Sequence, residues 1–272
     1  MITPLLLIAM QAQPLPGDPM AFPEPIERPA RETADTAAMP GPSARLRDCL
    51  QATLNDAPAA LLSAREWRLE AEGFSAAEAY HCEGMALVKL DRLGEAQAAF
   101  LAARDLLGDN RLGYRARMSE LAGMAALANK RPKEAFDLLG LSRGEKIASG
   151  ISFADARLLL NQAQAAQAVG DSHTAEAILA DLRERDATNI EVWLRSIEFA
   201  RATNRVSEAE RYIVQARRLQ PGNLEIDLQE AALAQDKGDL EKAREILQNM
   251  ANDDGFFGEV AKQFLSMLED SQ

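Results

Sequence analysis

The chain has 272 residues, of which 47% are hydrophobic and only 5% aromatic, and its formal net charge is −12. Apolar content carried by Ala and Leu, with few β-branched runs, points to an all-α chain. The charge excludes a nucleic-acid-binding surface, whose phosphates call for basic residues, and it argues against docking on anionic lipid. The basic residues are seven lysines and twenty-three arginines, a bias that fits a GC-rich bacterial genome.

In chain order, the first element is an apolar run, Pro4-Leu5-Leu6-Leu7-Ile8-Ala9-Met10, followed by Gln11-Ala12-Gln13. It is too short to span a bilayer as a helix, and it fits the apolar core of a secretory signal cleaved near Ala12 or Gln13. Residues 1–13 are therefore read as a signal peptide. No Lys or Arg precedes the run, so its positive region is the terminal amine alone unless a basic stretch lies upstream of Met1. No Cys follows it, so a lipid anchor is not expected. The alternative is an apolar N-terminus on a cytosolic protein. Nine of the twelve prolines lie between Pro4 and Pro42, and residues 14–43 read as a Pro-rich disordered linker. The expected location is periplasmic or exported, with cytoplasmic as the alternative, and no integral membrane segment is expected in the mature chain.

Helical patterning begins next. A lead pair of helices over 44–73, near Ala44–Asn55 and Ala57–Glu72, carries Cys49 and Trp67. Five helix pairs follow over about 75–255. The first has Tyr80, Gly84, Leu87, Ala96, Phe100 and Ala103, and the second Gly123, Ala126, Ala135 and Leu139. The third has Ala163, Ala166, a Gly170-Asp171 turn, Ala175 and Leu179. The fourth has Trp193, Ala200, Asn204 at the turn, Ala209, Ile213, Ala216 and a terminating Pro221. The fifth has Ala231, Ala234, Gly238-Asp239, Ala243 and Leu247. A closing amphipathic helix over 256–270 places Phe257, Val260, Ala261, Phe264 and Leu268 three and four residues apart.

Ala175, Ala209 and Ala243 are spaced by thirty-four residues, whereas Ala96, Ala135 and Ala175 are spaced by thirty-nine and forty. The extra residues fall at Gly108–Gly113 and around Gly140–Gly150, which read as loop insertions. With these small and large positions, the chain from Ser43 onward resembles a tetratricopeptide repeat (TPR) array over roughly 220 residues. It departs from that pattern at Ile197, where a small residue is expected. Sel1-type repeats, longer and richer in Gly, fit the regular half less well. The resemblance implies a right-handed superhelical solenoid of antiparallel helix pairs, about thirteen helices in all, acting as a non-catalytic scaffold for a protein or peptide. In such an up-down stack the helices bearing Cys49 and Cys82 are neighbours. A disulfide is then possible if their Cα atoms lie within about 7 Å, the alternative being two buried thiols.

The resemblance also implies a concave groove lined by the first helix of each pair. Projection of those helices gives Arg157, Leu160, Asn161, Gln164 and Gln167 in the third pair. The fourth gives Leu194, Arg195, Glu198 and Arg201, and the fifth Leu228, Gln229, Ala232 and Gln235. Amides suit the backbone of an extended peptide and Arg forks suit carboxylates, so a peptide with an acidic end or side chain is the expected ligand. The alternative is a set of merely solvated faces. The Lys/Asn carboxylate clamp of some TPR proteins is not evident.

Catalytic motifs are lacking: there is no Gly-rich phosphate loop and no His-Glu-x-x-His run. His173 reads as part of a capping turn. His81 neighbours Cys82, but adjacent helical residues diverge, so no metal site is expected. Carboxylates such as Glu208 beside Arg211, or Glu241 and Glu245 beside Arg244, read as surface pairs worth tenths of a kcal/mol. No catalytic residue, cofactor or metal is therefore assigned. The function expected from the resemblance is assembly or biogenesis of bacterial envelope components. A cytosolic adaptor, or an accessory subunit recruiting a separate enzyme, are the alternatives.

Overall fold

A computed structural model describes residues 42–150 and 155–269, so the signal-peptide reading and nearly all of the linker reading lie outside the described residues. Among those residues there are thirteen helices and no strand. They form two units divided after Ala154. The N-terminal unit holds α1 (Ala44–Asn55), α2 (Ala57–Glu70), α3 (Gly73–Lys89), α4 (Leu93–Asp105), α5 (Leu112–Ala128) and α6 (Pro132–Ala148). The C-terminal unit holds α7 (Ala156–Ala168), α8 (Ser172–Arg185), α9 (Ile190–Ala202), α10 (Val206–Leu219), α11 (Leu224–Asp236), α12 (Leu240–Met250) and α13 (Phe256–Glu269). Within each unit successive helices pack as antiparallel pairs, and α13 closes the last one.

Ser43, which the sequence assigns to the linker, is the N-cap of α1. Its Oγ accepts from the Leu46 N–H at 3.1 Å, and its own N–H donates to Glu78 Oε1 at 2.8 Å. The packing contacts of α1 therefore include the residue before its first turn.

Within the five central pairs, one position sets the turn. Asp91, Lys130, Gly170, Asn204 and Gly238 all have a left-handed backbone, with φ of 56°, 58°, 89°, 56° and 79°. The next residue's N–H then reaches a carbonyl five residues back, as from Arg92 to Leu87 and from Asp171 to Ala166, both at 2.9 Å. In the two Gly-Asp turns the aspartate caps the second helix: Asp171 accepts from Thr174 N–H and Asp239 from Lys242 N–H. A left-handed L-residue costs about 1 kcal/mol, which Gly avoids. Lys130→Gly is therefore expected to raise stability by about 0.5–1 kcal/mol, measured as a higher urea midpoint with an unchanged m-value.

A second regularity sets the packing. Gly84 and Phe100, Gly123 and Leu139, Ala163 and Leu179, Ile197 and Ile213, and Ala231 and Leu247 are each sixteen residues apart. In every pair the first residue lies on the first helix and the second on its partner. A Cβ at Gly84 would lie 2.5 Å from the Phe100 ring, and one at Gly123 2.9 Å from Leu139. The smallest residue thus admits the closest approach of the second helix. Ile197, unexpected at a crossing, is fully buried in one cluster with Ile213, Ala200 and Ala209.

The extra residues of the N-terminal unit correct the sequence reading. Gly108 and a 3-10 turn at Asp109–Arg111 form an insertion between α4 and α5, while Gly140 and Gly144 lie inside α6 and Gly150 follows its end. Both α5 and α6 run to 17 residues. What carries α6 through its glycines is a buried polar face. Ser142 Oγ donates to the Ala116 carbonyl at 2.8 Å, and Lys146 Nζ donates to Glu120 at 2.9 Å. Glu145 accepts from Arg104 at 2.9 Å and Ser119 at 3.0 Å, with Arg115 at 3.2 Å.

Candidate binding surface

The first helices of the C-terminal unit bring many of the projected residues together. Gln164 and Gln167 of α7 border a narrow hollow with Arg195 and Glu198 of α9, over a floor of Leu160, Ala163 and Leu179. Its volume is about 20 Å³, enough for one water-sized group. Across α9 and α11 runs a polar ladder. Arg195 donates to Glu198 at 2.9 Å, and Gln229 donates to the other Glu198 oxygen at 3.2 Å. Arg201 donates to Gln229 Oε1 at 2.9 Å and to Asp236 at 2.8 Å.

This ladder alters what the arginines can do. Both guanidiniums already hold a carboxylate through part of their donor set, so an incoming acidic group shares the arginine with Glu198 or Asp236 or displaces it. Burial opposes the Arg195 charge, but Glu198, Glu191 and Glu225 outweigh it and raise the pKa further. Burial, and then repulsion from Glu198, pushes the Glu225 carboxyl above its ordinary value. Glu191, Glu225 and Asp236 lie on the same stripes, three or four residues beyond the positions that the projection named.

Four projected residues are not presented at the surface. Leu194 and Gln229 are buried, as are Leu160 and Ala232, because the neighbouring first helix packs over that edge of the stripe. Arg157 remains half-exposed beside Asp155 at 3.8 Å. Asn161, Gln164, Gln167 and Gln235 keep side-chain amides without a hydrogen bond among the described residues, and the Asn161 Nδ2 is itself buried. An amide held out of water without a partner is costly unless a ligand or water satisfies it. The α7 face is thus open, whereas the α9–α11 face is internally satisfied.

The N-terminal unit answers the remaining sequence readings. Cys49 and Cys82 form a disulfide joining α1 to α3, with Cα atoms 6.1 Å apart. Their sulfurs are bonded to each other, and His81 turns instead to Tyr114, its Nδ1 2.7 Å from the phenol oxygen. Burial raises the Tyr114 pKa, so the phenol keeps its proton and shares one hydrogen bond with a neutral imidazole, its direction set by the imidazole tautomer. Burial, helped by Arg117, pushes His81 down to about 3. The unfolded chain binds a proton at this residue below about pH 6.5 and the folded chain does not. Stability is therefore present above pH 6.5 and lost as pH falls, by about 2 kcal/mol between pH 6.5 and 5. His81→Gln is expected to remove that slope from a pH series of denaturant midpoints.

His173 lies exposed in the first turn of α8, where Asp171 is the cap. Arg244 pairs with Glu241 at 2.9 Å as expected. Arg211 does not pair with Glu208, which instead faces Arg205 at 3.2 Å and accepts from Tyr212 at 3.1 Å. Among the described residues no helix is long and apolar enough to cross a membrane.

Stacked helix pairs with a fixed crossing position and a left-handed turn residue define a TPR-like α-solenoid fold. No family model matches the chain, and no curated protein matches it in sequence. Solved structures do match. PilF of Pseudomonas aeruginosa is 14% identical, with a TM-score of 0.55 over 82% of this chain and 98% of that one. BtubC from P. vanneervenii is 13% identical, with a TM-score of 0.55 over 84% and 93%. Acl4, described as an assembly chaperone of RpL4, is 15% identical, with a TM-score of 0.54 over 83% and 97%. At these identities the likeness concerns the fold.

Proposed function

We propose that this chain is a non-catalytic scaffold that holds an extended peptide segment of a partner protein against the first helices of its C-terminal unit. The observation that carries the reading is the open amide row of α7: Asn161, Gln164 and Gln167 on one face, with the Asn161 Nδ2 buried and unpaired. Each amide can give and accept one hydrogen bond to a peptide unit, a chemistry that reads backbone rather than sequence. Arg195 and Arg201 orient the neighbouring surface through Glu198 and Asp236, and an acidic ligand shares or exchanges those partners. One structure of this fold is described as an assembly chaperone, which is compatible with a holding role. We place the work in assembly or biogenesis in a bacterial envelope. The Cys49–Cys82 bond supports that reading, since such bonds persist in oxidising compartments.

The test is partner capture from the native compartment with Gln164→Ala/Gln167→Ala beside Arg195→Glu/Arg201→Glu. Two lost amide contacts are expected to weaken capture by about tenfold or more. Undiminished capture by both variants, each folded by circular dichroism, would place the site elsewhere.

A further inference from the structure

The outer face of α10 combines charge and apolar surface in a way that the first-helix site does not use. Ser207, Arg211, Val214 and Arg218 are all exposed and recur at helical spacing on one stripe. The C-terminal unit carries, over its described residues, twenty-one Asp and Glu against thirteen Arg and Lys, a surplus of eight negative charges. In so acidic a setting nearly every cation finds a carboxylate. Among the described residues of this unit, Arg211 and Arg218 are the two Arg or Lys side chains without one. Arg218 has only a 3.4 Å bond to Gln215.

Between these two arginines sits Val214, 49% exposed. Beside it opens a hollow of about 320 Å³, lined by Ile213, Val214, Arg217, Arg218 and Glu230. Arg217 and Glu230 do not compete for a ligand. Arg217 holds Asp227 at 2.8 Å and Glu230 at 2.6 Å, and Lys242 holds Glu230 at 2.7 Å. The hollow therefore presents an aliphatic floor with Arg218 at its rim and Arg211 two turns away.

We propose that this face is a second docking site, for a peptide segment that places an aliphatic side chain between two carboxylates. Seven residues of helix separate the two arginines by about 10.5 Å along the axis. Alternate residues of an extended peptide share a face, and four residues span about 13 Å, a difference that the long arginine side chains cover. An Asp-Ser-Leu-Ser-Asp segment therefore sets one carboxylate on each guanidinium with the leucine over Val214. An anionic membrane is the poorer occupant, since a flat surface meets the surplus negative charge of the unit, whereas a short segment lies within a Debye length of the two arginines.

The probe is the fluorescein-labelled peptide acetyl-Gly-Asp-Ser-Leu-Ser-Asp-Gly-amide, titrated into the full chain at about 25 and 300 mM salt, where screening differs strongly. Saturable binding that weakens at the higher salt is expected. Arg211→Ala/Arg218→Ala is expected to weaken it about fivefold or more, the worth of two exposed ion pairs. Arg211→Lys/Arg218→Lys is expected to retain most of it, and Gln164→Ala/Gln167→Ala to leave it unchanged. The counterpart peptide with Lys for both Asp is expected not to bind. Equal binding of the two peptides, or equal binding by the alanine variant, would overturn the proposal. So would tighter attachment to phosphatidylglycerol vesicles than to the peptide, or self-association that the alanine variant abolishes, which would put a membrane or a second copy there. Loss on Gln164→Ala/Gln167→Ala alone would return the peptide to the first-helix face.

Discussion

Glu145→Ala is expected to destabilise the N-terminal unit by about 3 kcal/mol, the cost of removing one partner from a buried charge cluster. Glu145 is 7% exposed and gathers Arg104, Arg115 and Ser119 from α4 and α5 onto α6. Without it, two guanidiniums that are each about four-fifths covered face one another across Ser119. Arg115 keeps Asp109 at 2.6 Å and Arg104 keeps Asp105 at 3.0 Å, which limits the loss. The effect is also expected to be local. Gly140 and Gly144 each weaken α6 by about 1 kcal/mol relative to Ala, so the helix beyond Leu139 depends on its polar anchors. Amide exchange is expected to accelerate from Gly140 to Ala148 before the rest of α5 and α6. A urea midpoint within error of wild type, with unchanged exchange in that stretch, would show that the cluster is ornamental.

Removing the disulfide is expected to have an effect of the same size at the opposite end of that unit. The bond closes a separation of 33 residues, worth about 3–4 kcal/mol if its role is to restrict the unfolded chain. Helix α1 has little else to hold it. Leu46 and Thr53 are its buried residues, Ser43 bonds Glu78, and the Arg45 guanidinium lies 4.7 Å from the Trp67 ring centroid. Leu46, Ala64, Trp67, Ala79 and Cys82 form the cluster beneath it. Cys49→Ala/Cys82→Ala is therefore expected to lose amide protection across α1 first and to expose Trp67. A red shift in tryptophan emission, in a Trp193→Phe background, reports the second change. Retained protection of α1 and an unshifted emission would mean that packing alone secures the lead helix.

The thirty-four-residue spacing was legible because Ala175, Ala209 and Ala243 sit buried in the first turn of each second helix, each at most 1% exposed. Only a small residue fits there, so the fold writes its period into composition. The fixed sixteen-residue step from crossing residue to second-helix anchor was equally present in the sequence. It holds through the irregular half, where Gly84 faces Phe100 and Gly123 faces Leu139. The stretch 140–150 misled for the opposite reason. Glycine is a local signal for a loop, whereas Glu145 and Ser142 are secured by partners 26 to 41 residues away. Periodicity alone could not supply those partners.

The binding face was legible as a stripe and no further. Helical projection located Gln164, Gln167, Arg195 and Glu198, which the structure gathers around one hollow. It could not show that Gln229 is 2% exposed, or that Asp236 occupies the Arg201 fork. Those facts depend on how α9 and α11 pack. The difference is specific: Arg195 and Arg201 are already paired within the unit, whereas the amides of Gln164 and Gln167 have no hydrogen bond among the described residues.

The most direct test is site-specific photocrosslinking in living cells, with a photoreactive residue in turn at Gln164, Gln167 and, as a control on the outer surface, Glu184. All three positions are half-exposed or exposed. A discrete crosslinked partner at Gln164 and Gln167, absent at Glu184, is the expected result. The same partner at all three positions, or a partner at Glu184 alone, would contradict a peptide-binding role for the first helices of the C-terminal unit.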